Sequence, residues 1–104
     1  SSTFSPDGNW IGFSNGVDNT LKRIAVAGGP SQPICALDAS PWRGGSWGPD
    51  GTIVFATATS KGLRRVPAAG GEAQVLTKVD PAKGESEHSW PEVLPDGKGV
   101  VFTA

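Results

Sequence analysis

The fold is decided by the stretch FSPDGNWIGFS, residues 4–14, because the chain contains two further copies of it. These copies are WGPDGTIVFAT, residues 47–57, and LPDGKGVVFTA, residues 94–104. Their Pro-Asp-Gly segments begin at Pro6, Pro49 and Pro95, which are 43 and 46 residues apart. Spacing this regular indicates a repeated supersecondary unit.

A second motif repeats in phase with the first. LKRIAVAGGPSQPI, residues 21–34, matches LRRVPAAGGEAQVL, residues 63–76, and their Gly-Gly pairs are 42 residues apart. Two independent landmarks at one period make chance similarity improbable. A period in the forties, made of short apolar runs and turns, is the length of one four-stranded blade of a β-propeller.

The residues of each unit favour strands joined by tight turns. Pro-Asp-Gly suits such a turn, since Pro presets φ, Asp bonds the turn backbone and Gly accepts positive φ. Aromatic and β-branched residues, which strands prefer, flank the turns, and Phe13, Phe55 and Phe102 occupy equivalent places in the three copies. No segment has a helical apolar pattern long enough to indicate an α-helix.

The repeat predicts an all-β chain of about ten strands, arranged as antiparallel, four-stranded, propeller-type blades. We treat residues 1–104 as one domain, with a first blade at about 1–40, a second at about 41–80 and a half blade at about 86–104. Because neighbouring blades cover both faces of a blade, apolar residues are expected at both odd and even positions of a strand.

Two and a half blades cannot close a ring, since propellers have four to eight. We therefore expect an incomplete propeller, a fragment of a larger one, that leaves blade faces and strand edges exposed. Exposed faces and edges tend to pair with another copy of the chain. This predicts a homo-oligomer.

Composition excludes two classes of partner. The net charge is −1, so no basic stripe is available to neutralise phosphates and nucleic-acid binding is not expected. No apolar run approaches the length of a membrane-spanning helix, so no membrane span is expected. Cys35 is the only cysteine, and its apolar surroundings favour a buried structural thiol.

A family resemblance covers nearly the whole chain. FSPDGNWIGF resembles the WSPDGKxIAF signature of TolB-like, or PD40 (WD40-like), β-propeller repeats. The segments GLRRVPAAGGEAQVLT and GESEHSWPEVLPDGKGVVFTA resemble the propeller regions that follow the kinase domain and membrane span of some bacterial serine/threonine protein kinases. The resemblance implies an extracytoplasmic or periplasmic module that senses a protein or a small-molecule ligand, without catalysis.

Four residues are the candidate contacts for a ligand or partner. Trp42 and Trp90 lie where the chain enters the inner strand of a blade, near the mouth of a ring, and Arg43 adds a charge beside Trp42. His88, the only histidine, has Glu85 nearby. A lone imidazole is a poor metal site, and the favoured interpretation is a residue that hydrogen-bonds a neighbouring blade.

Other chemical motifs have simpler structural interpretations. Asp7, Asp50 and Asp96 recur once per unit and are expected to cap their own turns. The glycines at Gly44 and Gly45 lack the Lys-Ser/Thr of a phosphate-binding loop, and close backbone packing near the propeller axis explains them better. The sequence therefore predicts no catalytic residue, no metal ligand and no cofactor.

Three functional hypotheses remain open. The leading one is a non-catalytic interaction or sensor module that assembles with itself. The second is a purely structural fragment without a ligand. The third is the accessory propeller of a hydrolase whose catalytic domain is absent from this chain; on none of these is the chain itself an enzyme.

Overall fold

The computed structural model describes residues 2–38, 41–58 and 62–104. These residues form three antiparallel sheets. The first contains β1 (Ser2–Phe4), β2 (Trp10–Asn15), β3 (Thr20–Ala25) and β4 (Gln32–Ala36). The second contains β5 (Trp42–Trp47), β6 (Thr52–Thr57), β7 (Arg64–Pro67) and β8 (Gln74–Val75). The third contains β9 (Ser89–Val93) and β10 (Val100–Thr103), and a short 3₁₀ turn (Pro81–Lys83) precedes it.

Strand order follows chain order in every sheet, so each is a simple meander. This confirms the predicted fold class: all-β, with antiparallel four-stranded sheets of propeller-blade type. In the described part of the chain the three sheets do not close into a ring.

The Pro-Asp-Gly segments form the hairpin turns between the first two strands of each sheet. In the first turn the Asp7 carboxylate accepts the N–H of Asn9 at 2.9 Å, and Gly8 has a φ of +75°. In the other two turns Asp50 accepts the N–H of Thr52 at 3.0 Å and Asp96 that of Lys98 at 2.9 Å. The three aspartates therefore cap their own turns, as the repeat predicts.

The second sheet lies between the other two and is buried on both faces. One core, between the first and second sheets, consists of Leu21, Ile34, Ile53, Phe55, Val66 and Ala68. The other core joins Val54, Ala56 and Leu63 of the second-sheet region to Val93, Val100 and Phe102. Successive β6 residues alternate between the two cores, which explains why this strand reads as a continuous apolar run.

Backbone-to-hydroxyl hydrogen bonds fix the offset between neighbouring sheets. The N–H of Trp47 donates to Thr3 Oγ1 at 3.1 Å, and the N–H of Val93 donates to Ser46 Oγ at 2.9 Å. Thr3 and Ser46 each lie three residues before a Pro-Asp-Gly turn, so the same bond recurs at successive sheets. We call this bond the hydroxyl clamp.

The outer face of the first sheet is not covered by any other described residue. Gly12 points towards the second sheet, since a Cβ built on it would lie 3.5 Å from the Ile53 side chain. By strand alternation and register, the residues on the opposite, outer face include Phe4, Ile11, Phe13 and Ile24. Phe4 is 60% exposed there.

Within these described ranges, no helix has the length and apolar character that crossing a membrane requires.

Candidate functional site

His88 lies inside the core between the second and third sheets and is only 4% exposed. Its Nδ1 is 2.7 Å from the Thr77 hydroxyl, and its Nε2 is 2.8 Å from Oε1 of Glu85. The Thr77 hydroxyl also accepts the N–H of Leu63 at 2.9 Å. These bonds tie the segment before β9 to the second sheet.

The repeat explains why a histidine occupies this position. His88 and Trp42 both lie seven residues before a Pro-Asp-Gly turn. Trp42 stacks on Phe55 with ring centroids 5.7 Å apart, and His88 packs on Phe102 at 4.7 Å. The imidazole therefore takes the place of a core aromatic ring.

The order threonine, histidine, glutamate matches that of a nucleophile, a base and an orienting carboxylate. Here, however, two members also accept hydrogen bonds from the backbone. Thr77 accepts the N–H of Leu63, and Glu85 accepts the N–H of Asp80 at 2.9 Å. The hydrogen bond from His88, followed by that from the Asp80 N–H, lowers the pKa of Glu85 below its ordinary value. The arrangement thus stabilises an ionised Glu85 and closes the loop over residues 80–88.

Trp90, on β9, is 55% exposed and has an unusual positive φ of +53°. It covers Gly44 of β5, which is buried and has a φ of +97°. A Cβ on Gly44 would lie 2.8 Å from Trp90 Cε3, so the two inner strands approach as closely as glycine allows. The close-packing interpretation of Gly44 agrees with this geometry.

The four candidate contact residues do not form one site. Trp42 packs against the core between the first and second sheets, and it lines a cavity of about 300 Å³ with Asp38 and Thr57. Trp90 lines a different, open cavity of about 340 Å³ with Glu92. His88 is enclosed in the second core, and Arg43 is half-buried on β5.

Among the described residues, no three His, Cys, Asp or Glu side chains come together in a way that could hold a metal ion. Cys35 is half-buried beside the first core, and its burial raises the pKa of the thiol. A raised thiol pKa lowers the fraction of reactive thiolate at neutral pH.

Sequence reasoning missed the cavity between the second and third sheets. This cavity, which we call the inter-sheet cavity, has a volume of about 380 Å³. Its apolar walls include Val54, Leu63, Leu76, Val100 and Phe102. No local sequence signal marks it, because Leu76 aligns with the buried Ile34 and the two residues differ in exposure only through their neighbours.

Sequence reasoning also missed the hydroxyl clamp, although its signal is visible. The residue three before each Pro-Asp-Gly turn is Thr3, Ser46 or Glu92, and all three side chains can accept a hydrogen bond.

No protein-family model matches this chain, and no match is found among curated proteins.

Proposed function

We propose that the chain is a non-catalytic interaction module of the TolB-like, PD40 propeller type, and that its outer sheet faces bind further copies of the chain. The observation that supports this proposal is a repeat equivalence. The uncovered outer face of the first sheet has apolar residues equivalent to those that the second and third sheets pack against a neighbouring sheet.

The three equivalent phenylalanines illustrate this equivalence. Phe55 is 1% exposed because the first sheet covers it, and Phe102 packs against the second sheet. Phe13 lies half-buried on the outer face of the first sheet, beside the exposed Phe4, and no described sheet covers it. A sheet of the same kind is the occupant that this face fits, because sheets of this kind cover its two counterparts.

The third sheet has the complementary face. Val101 is 59% exposed there, whereas Val54, its counterpart on β6, is 4% exposed beneath the third sheet. The outer faces of the first and third sheets therefore correspond to the two sides of one internal interface. Copies of the chain would pair head to tail, through two different surfaces, as in a heterologous assembly.

The non-catalytic part of the proposal rests on His88, whose two ring nitrogens are both bonded within the fold. The resemblance to kinase-associated propellers suggests the context, an extracytoplasmic module that senses a protein or a small ligand. Hydrolytic activity in the purified chain that is lost on His88→Ala would contradict the non-catalytic assignment.

Sedimentation equilibrium tests the assembly. We expect a mass above the 10.7 kDa of one chain. Phe13→Lys and Val101→Lys should each disrupt one of the two surfaces and prevent growth of the assembly, because each places a charge in an apolar interface. A mixture of the two variants should form only a heterodimer, since each retains the surface that the other has lost.

Val17→Lys is the matched control, because Val17 is 95% exposed and lies in the β2–β3 turn. It should leave the mass unchanged. A wild-type chain that sediments as a single 10.7 kDa species at every concentration would refute the self-assembly.

A further inference from the structure

We infer that a cavity between the first and second sheets binds an uncharged, hydroxyl-rich small molecule of the size of one monosaccharide. This cavity, which we call the polar cavity, has a volume of about 300 Å³, and its polar and aromatic walls are Ser14, Asn15, Asn19, Asp38, Trp42 and Thr57. The inference goes beyond the proposed function, because both walls belong to one chain and the site needs no second copy.

The polar cavity lies within one internal interface of the chain. Ser14 is on the same face of β2 as Gly12, which points towards the second sheet. Thr57 is on the same face of β6 as Phe55, which belongs to the core between these two sheets. The cavity is therefore enclosed between two four-stranded sheets.

Hydrogen bonds hold the walls of the polar cavity in place. The Asn19 carbonyl accepts the N–H of Leu37 at 2.7 Å, which fixes the β2–β3 turn against the chain after β4. The Thr57 hydroxyl donates to Oδ2 of Asp38 at 3.1 Å, which joins the chain after β4 to the second sheet. A ligand would therefore meet a preformed site and would not have to order its walls on binding.

The next interface along the chain has a different arrangement at the equivalent place. Trp42 follows Asp38 by four residues, whereas its counterpart His88 follows Asp80 by eight. The longer connection supplies Glu85, whose carboxylate lies 2.8 Å from the ring of His88. The shorter connection has no counterpart of Glu85, and the space beside Trp42 is a cavity instead.

The lining of the polar cavity is not what packing alone requires. Ser14 corresponds to Ala56 on β6, and Ala56 is fully buried. Asn19 has a positive φ of +54°, a conformation that is uncommon outside glycine and that concentrates at functional sites. Both observations favour a polar lining that serves binding.

The donors and acceptors of the lining select the class of ligand. Asn15 uses its Oδ1 to accept the N–H of Val17 at 2.9 Å, so its NH₂ group is left to donate. An ionised Asp38 accepts hydrogen bonds, and the Ser14 hydroxyl can donate or accept. A matching ligand has to donate as well as accept, as hydroxyl groups do, whereas an ammonium group can only donate.

Charge and size narrow the class further. Among the described residues that line the polar cavity none is basic and Asp38 is acidic, so an anion would be repelled. A volume of about 300 Å³ is at the lower end of the range for small-molecule sites. One pyranose ring with its hydroxyl groups suits this size, and the indole of Trp42, held by its stacking on Phe55, can contact the C–H groups of the sugar.

The probes are the methyl glycosides of glucose, galactose and mannose, titrated into the full chain and followed by NMR. We expect at least one of them to shift the Trp42 indole N–H and the side-chain NH₂ signals of Asn15 and Asn19 in a saturable manner. The Kd should be about 1 mM, because a ligand with so few atoms gains limited affinity. Methylammonium and inorganic phosphate should bind more weakly, and tighter binding of either would contradict the ligand class.

Two variants test whether the sugar occupies the polar cavity. Asn19→Gly removes the amide and tolerates the positive φ, and Ser14→Ala introduces the residue that β6 has at the equivalent place. Each should raise the Kd by about threefold to tenfold, because each removes a hydrogen-bonding group from the ligand. Val17→Ala is the matched control, since Val17 lies in the same turn, is 95% exposed and does not line the cavity; it should leave the Kd unchanged.

Binding that is unaffected by Asn19→Gly and Ser14→Ala would overturn the inference, and so would the absence of saturable shifts with all three glycosides. Val101→Lys separates this result from the proposed assembly: it should leave the Kd unchanged, and a loss of binding would place the sugar between copies and overturn the inference. An assembling chain that binds no glycoside refutes the polar cavity alone. A monomer that binds one refutes the self-assembly alone.

Discussion

At the scale of single residues, Gly44 shows how closely the inner strands β5 and β9 approach. We expect Gly44→Ala to lower the free energy of unfolding by about 2–4 kcal/mol, because the new Cβ would overlap Trp90 and the positive φ would be strained. Urea unfolding followed by tryptophan fluorescence measures the change.

Gly8→Ala is the matched control for Gly44→Ala. Gly8 has a positive φ of +75°, but a Cβ there would meet no atom within 4 Å. We expect this variant to lose only about 1 kcal/mol, which is the backbone contribution. Equal losses in the two variants would mean that the contact with Trp90 has no energetic role.

Glu85 gives the fold a pH dependence with a defined sign. Its pKa is lowered in the folded chain, first by the hydrogen bond with His88, so its contribution to stability is present above the ordinary pKa of 4.5 and is lost as the pH falls through the lower folded value. Between pH 6 and pH 3, the wild type should therefore lose more stability than Glu85→Gln. Urea midpoints at the two pH values measure the difference.

The same comparison in a His88→Phe background is the control. The phenyl ring retains the aromatic packing on Phe102 but cannot bond Glu85, so the effect of Glu85→Gln on the pH dependence should shrink in this background. An unchanged effect would assign the pH dependence to the Asp80 backbone contact instead.

The roles of some residues could be predicted from the sequence, and those of others could not. The turn-capping role of Asp7 follows from local geometry, which a short motif determines. The partners of His88 depend on Thr77 and Glu85, which the tertiary fold brings to the ring. For the same reason, grouping Trp42 with Trp90 by sequence placed together two residues that line different cavities.

At the scale of elements, equivalent strands differ because their neighbours differ. We expect Phe55→Ala to cost about 3–5 kcal/mol, since Phe55 is fully buried on β6. Phe13→Ala should cost about 1–2 kcal/mol at protein concentrations too low for assembly, because the outer face of the first sheet is then uncovered. Chemical denaturation of both variants measures the two losses.

If Phe55→Ala does not fold, Phe55→Leu and Phe13→Leu offer a milder comparison with the same expected order. A loss at Phe13 that equals the loss at Phe55 in the single chain would contradict the assignment of Phe13 to an uncovered face.

The repeat predicted the order of the strands well and their ends less well. The repeat places a fourth strand after each Gly-Gly turn, near 32–37 and 74–77, and the structure has β4 (Gln32–Ala36) and the shorter β8 (Gln74–Val75) there. β8 is short because Thr77 leaves the ladder to bond Leu63 and His88. A tertiary contact of this kind has no local signature.

At the scale of the whole molecule, self-assembly should make thermal stability depend on concentration. Binding to the folded state stabilises it by mass action, so a hundredfold increase in protein concentration should raise the Tm by about 5–15 °C. Differential scanning calorimetry at several concentrations measures the shift. The Phe13→Lys variant should have a constant Tm, and a constant wild-type Tm would argue against assembly.

The sequence revealed the sheets but not the spaces between them. Strand pairing within a sheet follows from turns and period, whereas the inter-sheet cavity depends on which side chains remain uncovered after three sheets stack. The difference between Leu76 and Ile34 arises from their neighbours and not from their own chemistry.

The hydroxyl clamp gives the stack of sheets a polarity. In each clamp the earlier sheet supplies the acceptor oxygen and the later sheet supplies the N–H. A stack extended by this contact therefore has two chemically different ends, like a filament with unequal tips. The tip at the third sheet carries the Glu92 carboxylate in place of a hydroxyl, so every junction between copies would bring a carboxylate, rather than a hydroxyl, to an N–H of the adjoining first sheet.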